Sequence, residues 1–381
     1  MMKMRHYMDY NATTPLSPGA KAALVGALDI VGNPSSVHKE GRLAKSAMQL
    51  ARRDISNFVN VDSENLVFTS GASEAATILL TPHYRMGRSP LKMSHLYIGA
   101  TEHPCIASGG RFPQGQISVV GVDTNGIINF DELEVRLTQH DKSQGVALVA
   151  IQAANNETGV VQPIRQIAEI VRRFGGVLIV DAVQYVGKLP FDATNFGGDF
   201  FMISAHKIGG PKGVGAIFSS GGLIAPEPWN KAGGQERGLR GGTEALPLIV
   251  AFGRAAHDAQ TTVEQRSSIK SLRDFFENRL TTIFPTAVIF GSNVERLPNT
   301  SFFIIPGFEA ETMQIALDLA GFAVSSGSAC SSGKVAESAV LRAMGVSNSA
   351  RATRVSIGPE TRKQDMELLL AAITEVVNRK L

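Results

Sequence analysis

Between Leu66 and Ser219 the chain alternates short β-rich runs with helical stretches, and this alternation restricts the fold more than any other feature. The runs are "NLVFTS", "HLYIGA", "VALVAIQ", "GVLIVDA", "DFFMIS" and "GVGAIFS", and "IRQIAEIVRRFG" is the clearest helix among them. Such a pattern predicts an α/β domain built on a mostly parallel sheet. Several runs end in polar residues: Asn155, Asn156 and Glu157 after one, Asp181 and Gln184 at another, Ser204, His206 and Lys207 at a third. Open α/β sheets bind ligands beyond the carboxyl ends of their strands, so these groups can converge on one crevice. After about Thr243 the pattern changes to long amphipathic helices, such as "SSIKSLRDFFENRLTTIF" and "DMELLLAAITEVVNRK", mixed with "NTSFFIIPG" and "ATRVSIG". That predicts a smaller α+β domain. The expected division is residues 15–253 for the large domain and residues 1–14 with 254–381 for the small one, with a soft boundary near Gly253.

Composition narrows the function. The 381 residues are 44% hydrophobic and 19% charged, enough apolar chain for a substantial core. A balance of 37 basic against 34 acidic residues, with no long Lys/Arg run, argues against nucleic acid as a partner. No run approaches the roughly 18 apolar residues of a membrane span, and "MMKMRHYMDY" lacks the apolar core of a signal peptide. Two cysteines, Cys105 and Cys330, are too few for a disulfide framework and suit a reducing compartment, so a soluble cytoplasmic protein is expected. The eight histidines show no HxxxH or Cys/His ligand spacing, and no metal site is expected.

Two glycine-rich segments can cradle an anion. "TSGASEAATILL" follows a strand and opens a helix, so the amides near Gly71, Ala72 and Ser73 would face a phosphate at the helix N-terminus. "AGGQERGLRGGTEA" is the second, ending at Thr243. Lys207, at a strand end after Ser204 and His206, is either a surface charge or a Schiff-base lysine, with Lys212 of "GGPKG" as a competitor that its Gly-Pro turn should throw outward. Asp181 can pair with the protonated ring nitrogen of pyridoxal 5′-phosphate (PLP), or it can cap the turn that follows.

"AVSSGSACSSGKVAES" sets Cys330 among serines and glycines with little apolar company. A thiol in so polar a stretch is a chemical hazard unless it is used. The stretch is no phosphate loop: five residues separate its glycines where four are required, and Val335 stands where Ser or Thr must reach a metal.

Taken in order, "YMDYNATTP", "GNPSSVHKEG", "VFTSGASE", "TEH", "NNETGVVQPI", "VDAVQYVGKLP", "SAHKIGGPKGVGA", "GGQERGLRGGT" and "SSGSACSSG" closely resemble the cysteine desulfurases of the fold-type I PLP enzymes, class V aminotransferase family, over nearly the whole chain. The resemblance implies that Lys207 carries PLP, Asp181 pairs with its ring nitrogen, His103 stacks on the ring and Gln184 contacts its phenolic oxygen. It implies a phosphate cup from Ser73, Ser204 and His206, completed by Thr243 from the other subunit of a homodimer. It implies L-cysteine as substrate and Cys330 as the thiol that takes its sulfur as a persulfide. The sulfur would then pass to an iron–sulfur scaffold or another acceptor protein. In "ATRVSIG" the period-two alternation puts Arg354 and Ser356 on one face and Val355 and Ile357 on the other. The resemblance makes Arg354 the clamp for the substrate carboxylate, with Asn156 beside it and Arg351 as second choice. Cys105 reads as a small packing residue. Ala205, Thr77 and Tyr185 depart from the pattern, which usually has Gly, Asn and a small residue there. The nearest rival reading is a selenocysteine lyase or another class V aminotransferase-type PLP enzyme.

Overall fold

The computed structural model describes residues 5–326, 337–346 and 352–379. The β-rich runs are strands: β1 Leu66–Thr69, β2 His83–Met86, β3 Ser89–Gly99, β4 Ile117–Val120, β5 Val146–Gln152, β6 Val177–Asp181, β7 Phe200–Ser204, β8 Gly215–Ser219 and β9 Ile224–Pro226. Among the described residues they form one sheet in the order β9-β2-β3-β5-β6-β7-β8-β1, with β4 also paired to β3. The central strands β3, β5, β6 and β7 are parallel, while β2, β8 and β1 join antiparallel at the flanks.

Both faces of this sheet are covered, which explains why its strands read as unbroken apolar runs. Val149, Ile151, Leu178, Val180, Phe201 and Ile203 join one apolar cluster, and the alternating residues Leu148, Ala150, Ile179, Phe200 and Met202 join another. Helices Lys39–Val59, Ile164–Arg173 and Leu246–Glu264 cover the first face, and helix Ala72–Leu79 the second. Gly253 lies within helix Leu246–Glu264, where a Cβ would stand 2.7 Å from Ala51 Cα, so the bare backbone permits close packing on helix Lys39–Val59. The face of that helix packs into the large core as far as Ala259.

Further along the chain β10 Val288–Ile289, β11 Thr300–Ile304, β12 Ser325–Ser326 and β13 Thr353–Ser356 form a second, antiparallel sheet in the order β10-β11-β13-β12. Its apolar face and helices Arg266–Ile283, Ala310–Ala320 and Lys363–Asn378 share a third cluster, which also takes Met8. The amino-terminal segment is tied to this unit, since His6 and Tyr7 pair with Phe322 and Ala323. Among the described residues no helix is long and apolar enough to cross a membrane.

Candidate active site

Parallel pairing sets Gln152 beside Asp181 and Asp181 beside Met202, so three adjacent strands end along one edge of the large sheet. A cavity of about 610 Å³ opens there, and it brings together Gly71, Ala72, Ser73, His103, Asn156, Asp181, Gln184, Ser204, His206, Lys207 and Arg354. Residues from both units build it.

Asp181 is buried, and its carboxylate accepts a hydrogen bond from the Val183 amide at 3.0 Å. Burial pushes its carboxyl up to about 6, partly offset by that bond and by the Lys207 charge. Beyond β7 the turn Ala205–Lys207 carries Lys207 into the cavity, where its Nζ donates to the Asn11 carbonyl at 2.6 Å and the Ala12 carbonyl at 3.0 Å. The Ala205 methyl fits because residue 210 is glycine: a Cβ at Gly210 would stand 2.8 Å from it.

His103 caps the turn Pro104–Ala107, its Nδ1 accepting the Cys105 amide at 3.2 Å. Burial, then the Lys207 charge, lowers its pKa. Cys105 packs against the second cluster, but it also lines the cavity and brings its Sγ to 3.1 Å from His103 Nδ1, which no spacing revealed. Burial pushes its thiol far up, so Cys105 stays protonated and is a poor nucleophile.

Gly71 begins helix Ala72–Leu79 at φ +153°, a conformation open to glycine, and makes no side-chain cap. It also lies close against β8, where a Cβ at Gly215 would stand 2.8 Å from Gly71 Cα. The first amides of the helix therefore face the cavity without a side-chain acceptor at the cap. His206 is fixed by Thr13 Oγ1 at 2.6 Å, and burial together with Lys207 pushes its pKa to about 4.

Of the two glycine-rich segments, only the first lines this cavity. The second is pinned elsewhere: Glu236 is buried in an ion pair with Arg52 at 2.5 Å and accepts the Phe68 amide at 2.8 Å. Thr243, beyond it, is exposed. Lys212 is exposed, yet it reaches the rim of the same cavity. Thr77 bonds the Ser73 carbonyl within its own helix, and Tyr185 packs edge-on against Phe196.

Arg354, from β13, is buried. Its Nη1 donates to the Asn156 carbonyl at 2.8 Å, and its Nη2 donates to Asp9 Oδ1 at 2.7 Å and Ser325 Oγ at 3.2 Å. Its Nε has no partner among the described residues. Val355 and Ile357 lie in the third cluster. Sequence reasoning missed Asp9, Asn11 and Lys188, all polar and close to the predicted set. The signals were present in "MDYNA" and in the lone lysine of "VQYVGKLP". Cys330 and Arg351 lie outside the described residues. The described chain flanking Cys330 ends at Ser326, one residue beyond the Ser325 that Arg354 holds, and resumes beside Ser338, whose Oγ donates to Glu157 at 2.6 Å.

A lysine and a buried carboxylate at the strand ends of a largely parallel sheet, beside an uncapped helix N-terminus, define a fold-type I PLP-dependent enzyme. Residues 6–369 match the family described as aminotransferase class-V, and the chain belongs to it. It is 36% identical over 383 residues to a protein named cysteine desulfurase from Cereibacter sphaeroides, covering 98% of this chain and 96% of that one. It superposes on the NifS-like protein from Rickettsia africae with a TM-score of 0.87 at 32% identity, covering 98% of this chain and 99% of that one. It also superposes on a structure described as SspA in complex with cysteine, with a TM-score of 0.74 at 26% identity, covering 94% of this chain and all of that one (100%).

The residues present fit PLP. Asp181 offers a buried carboxylate to a protonated ring nitrogen, the Gly71 turn offers amides to a phosphate, and Lys207 offers an amine in the same cavity. Among the described residues no group of three or more His, Cys, Asp or Glu could hold a metal ion.

Proposed function

We propose that this cavity removes sulfur from L-cysteine, giving L-alanine and a persulfide on Cys330. The protein is a PLP-dependent cysteine desulfurase, and the observation that carries the reading is the convergence of Lys207, Asp181, His103 and Arg354 on one cavity. PLP, when bound, supplies the electron sink that weakens bonds around the substrate's α-carbon.

Lys207 holds the cofactor and moves a proton at its Nζ, which the Asn11 and Ala12 carbonyls place. Asp181 would hold the ring nitrogen, His103 would stack on the ring, and Gln184 would offer its amide to the phenolic oxygen. Ser73, Ser204, His206 and the amides after Gly71 would hold its phosphate. Arg354 binds the substrate carboxylate with donors that Asp9, Ser325 and Asn156 have already oriented. The Cys330 thiolate attacks the substrate sulfur, the carbon–sulfur bond breaks, and the β-carbon takes a proton. L-cysteine and a thiol thus become L-alanine and a persulfide with atoms balanced. A thiolate is the nucleophile this step needs, and the thiol of Cys105 is held away from that form.

Transfer of the sulfur to an iron–sulfur scaffold or other acceptor, in a cytoplasmic setting, belongs to this reading. So does a homodimer in which Thr243 completes the partner's phosphate site. The second glycine-rich loop does not line its own cavity, and Leu28, Val31 and Val37, ahead of helix Lys39–Val59, and Leu43 within it stand exposed. Exposed apolar side chains at these neighbouring positions suit a subunit contact.

The test is turnover. Loaded with PLP and given L-cysteine, the protein should release alanine and, with a reductant, sulfide. Cys330→Ser should keep the cofactor spectrum and release almost no alanine. Persulfide mapped to Cys105, or normal alanine release by Cys330→Ser, would overturn the assignment.

A further inference from the structure

Lys188 is a buried lysine with no part in the chemistry above, 6% exposed at the back of the cavity wall. It ends a turn that Gly187 makes possible: at φ +82°, a Cβ there would stand 2.6 Å from Ile208 Cγ2, so only glycine lets the turn lie against the residue following Lys207. Among the described residues Lys188 Nζ donates to Gln184, at 3.1 Å to its carbonyl and 2.5 Å to its side-chain Oε1. The other end of that amide, Nε2, donates to the Asn11 carbonyl at 3.0 Å, the same oxygen that receives Lys207 Nζ at 2.6 Å. Lys188 and Lys207 are thus joined through one amide and one carbonyl.

The joint has a direction. Lys188 Nζ donates to two oxygens of Gln184, and the Asn11 carbonyl at the other end of the amide can only accept, so Oε1 faces Lys188 and the NH₂ faces Asn11. The opposite amide orientation would set donor against donor in a buried site, where an unmet bond is expensive. With Oε1 held by Lys188, Nε2 is turned to the carbonyl of Asn11, a residue that lines the cavity together with Gln184 and Lys207. Burial, and after it the charges of Lys207 and Arg354, lowers the pKa of Lys188 well below the ordinary lysine range.

We propose that Lys188 is a positioning residue that locks the Gln184 amide with its NH₂ facing the phenolic oxygen of PLP. The proposal rests on the reading that Gln184 meets that oxygen. A donor there stabilises the oxygen's negative charge, and its loss raises the pH at which the bound cofactor's visible band titrates.

The readout is that midpoint, measured without substrate on PLP-loaded protein. Lys188→Met removes the donor and keeps most of the bulk, and should raise the midpoint by about 0.5–1 pH unit, the scale of one hydrogen bond. Gln184→Leu should reproduce the shift, Lys188→Met should add nothing on the Gln184→Leu background, and Lys188→Arg should stay near wild type. A merely structural lysine would lower the melting temperature and leave the midpoint unmoved. That result, or a full shift persisting on the Gln184→Leu background, overturns the proposal. If Gln184→Leu itself does not move the midpoint, the underlying reading of Gln184 fails and the proposal falls with it. Should Lys188→Met not fold, Lys188→Leu is read by the same criteria.

Discussion

Replacing Arg354 by alanine should separate two effects that the structure ties to one side chain. The guanidinium is buried, and its ion pair with Asp9 spans 2.7 Å with side-chain exposures of 6% and 17%. Removing one partner of a buried pair leaves the other charge unmet and costs about 3–5 kcal/mol of stability. Asp9 also accepts from Ser325 Oγ at 2.9 Å, which should keep the loss near the lower end. The second effect is on substrate. A charge-assisted hydrogen bond to a carboxylate contributes about 1.5–3 kcal/mol, or roughly ten- to a hundredfold in affinity. Arg354→Ala combined with Asp9→Asn removes the stranded charge, so the double variant should regain most of the lost stability and none of the lost affinity. The assay is a titration of PLP-loaded protein with L-alanine, the product, followed by the cofactor's spectrum, beside thermal melts of the same samples. Unchanged L-alanine affinity in a folded Arg354→Ala would refute the clamp and move it elsewhere, Arg351 first. Equal recovery of stability and affinity in the double variant would show that Arg354 acts only by holding the fold.

Two further outcomes can be checked independently. Borohydride reduction of PLP-loaded protein and peptide mapping should find the pyridoxyl group on Lys207; finding it on Lys212, at the cavity rim, would reassign the cofactor lysine. Glu157 is pushed up to about 7, mainly by burial, against an unfolded value near 4.3, so the folded state keeps a proton that the unfolded chain has released. Its contribution is therefore full below about pH 4.3 and is lost as pH rises towards 7. Glu157→Gln keeps an acceptor for Ser338 and removes the titration, so it should match wild type near pH 4 and exceed it at pH 8 by about 1–3 kcal/mol. Equal pH slopes in denaturant melts of the two proteins would show that Glu157 does not titrate in this range.

What the sequence by itself determined is the set of elements and much of the site. A strand covered on both faces must be apolar at every position, so β5, β6 and β7 are legible as runs, and the polar residues that stop them, such as Asp181 and Lys207, mark the edge where a ligand sits. Gly71 was legible because the start of helix Ala72–Leu79 needs a backbone that glycine supplies at φ +153°. The tertiary structure decided which distant side chains meet. Periodicity states the face a residue takes, while its partner depends on how the two units pack. Arg354 finds Asp9 across 345 positions, Arg52 finds Glu236 across 184, and the second glycine-rich loop, with more glycines than the first, does not line the cavity although its Arg240 pairs with Glu74 at the cavity wall. Lys188 shows the same limit at short range: "VGKLP" names a lysine, but only the close approach of Gly187 to Ile208 buries it behind Gln184.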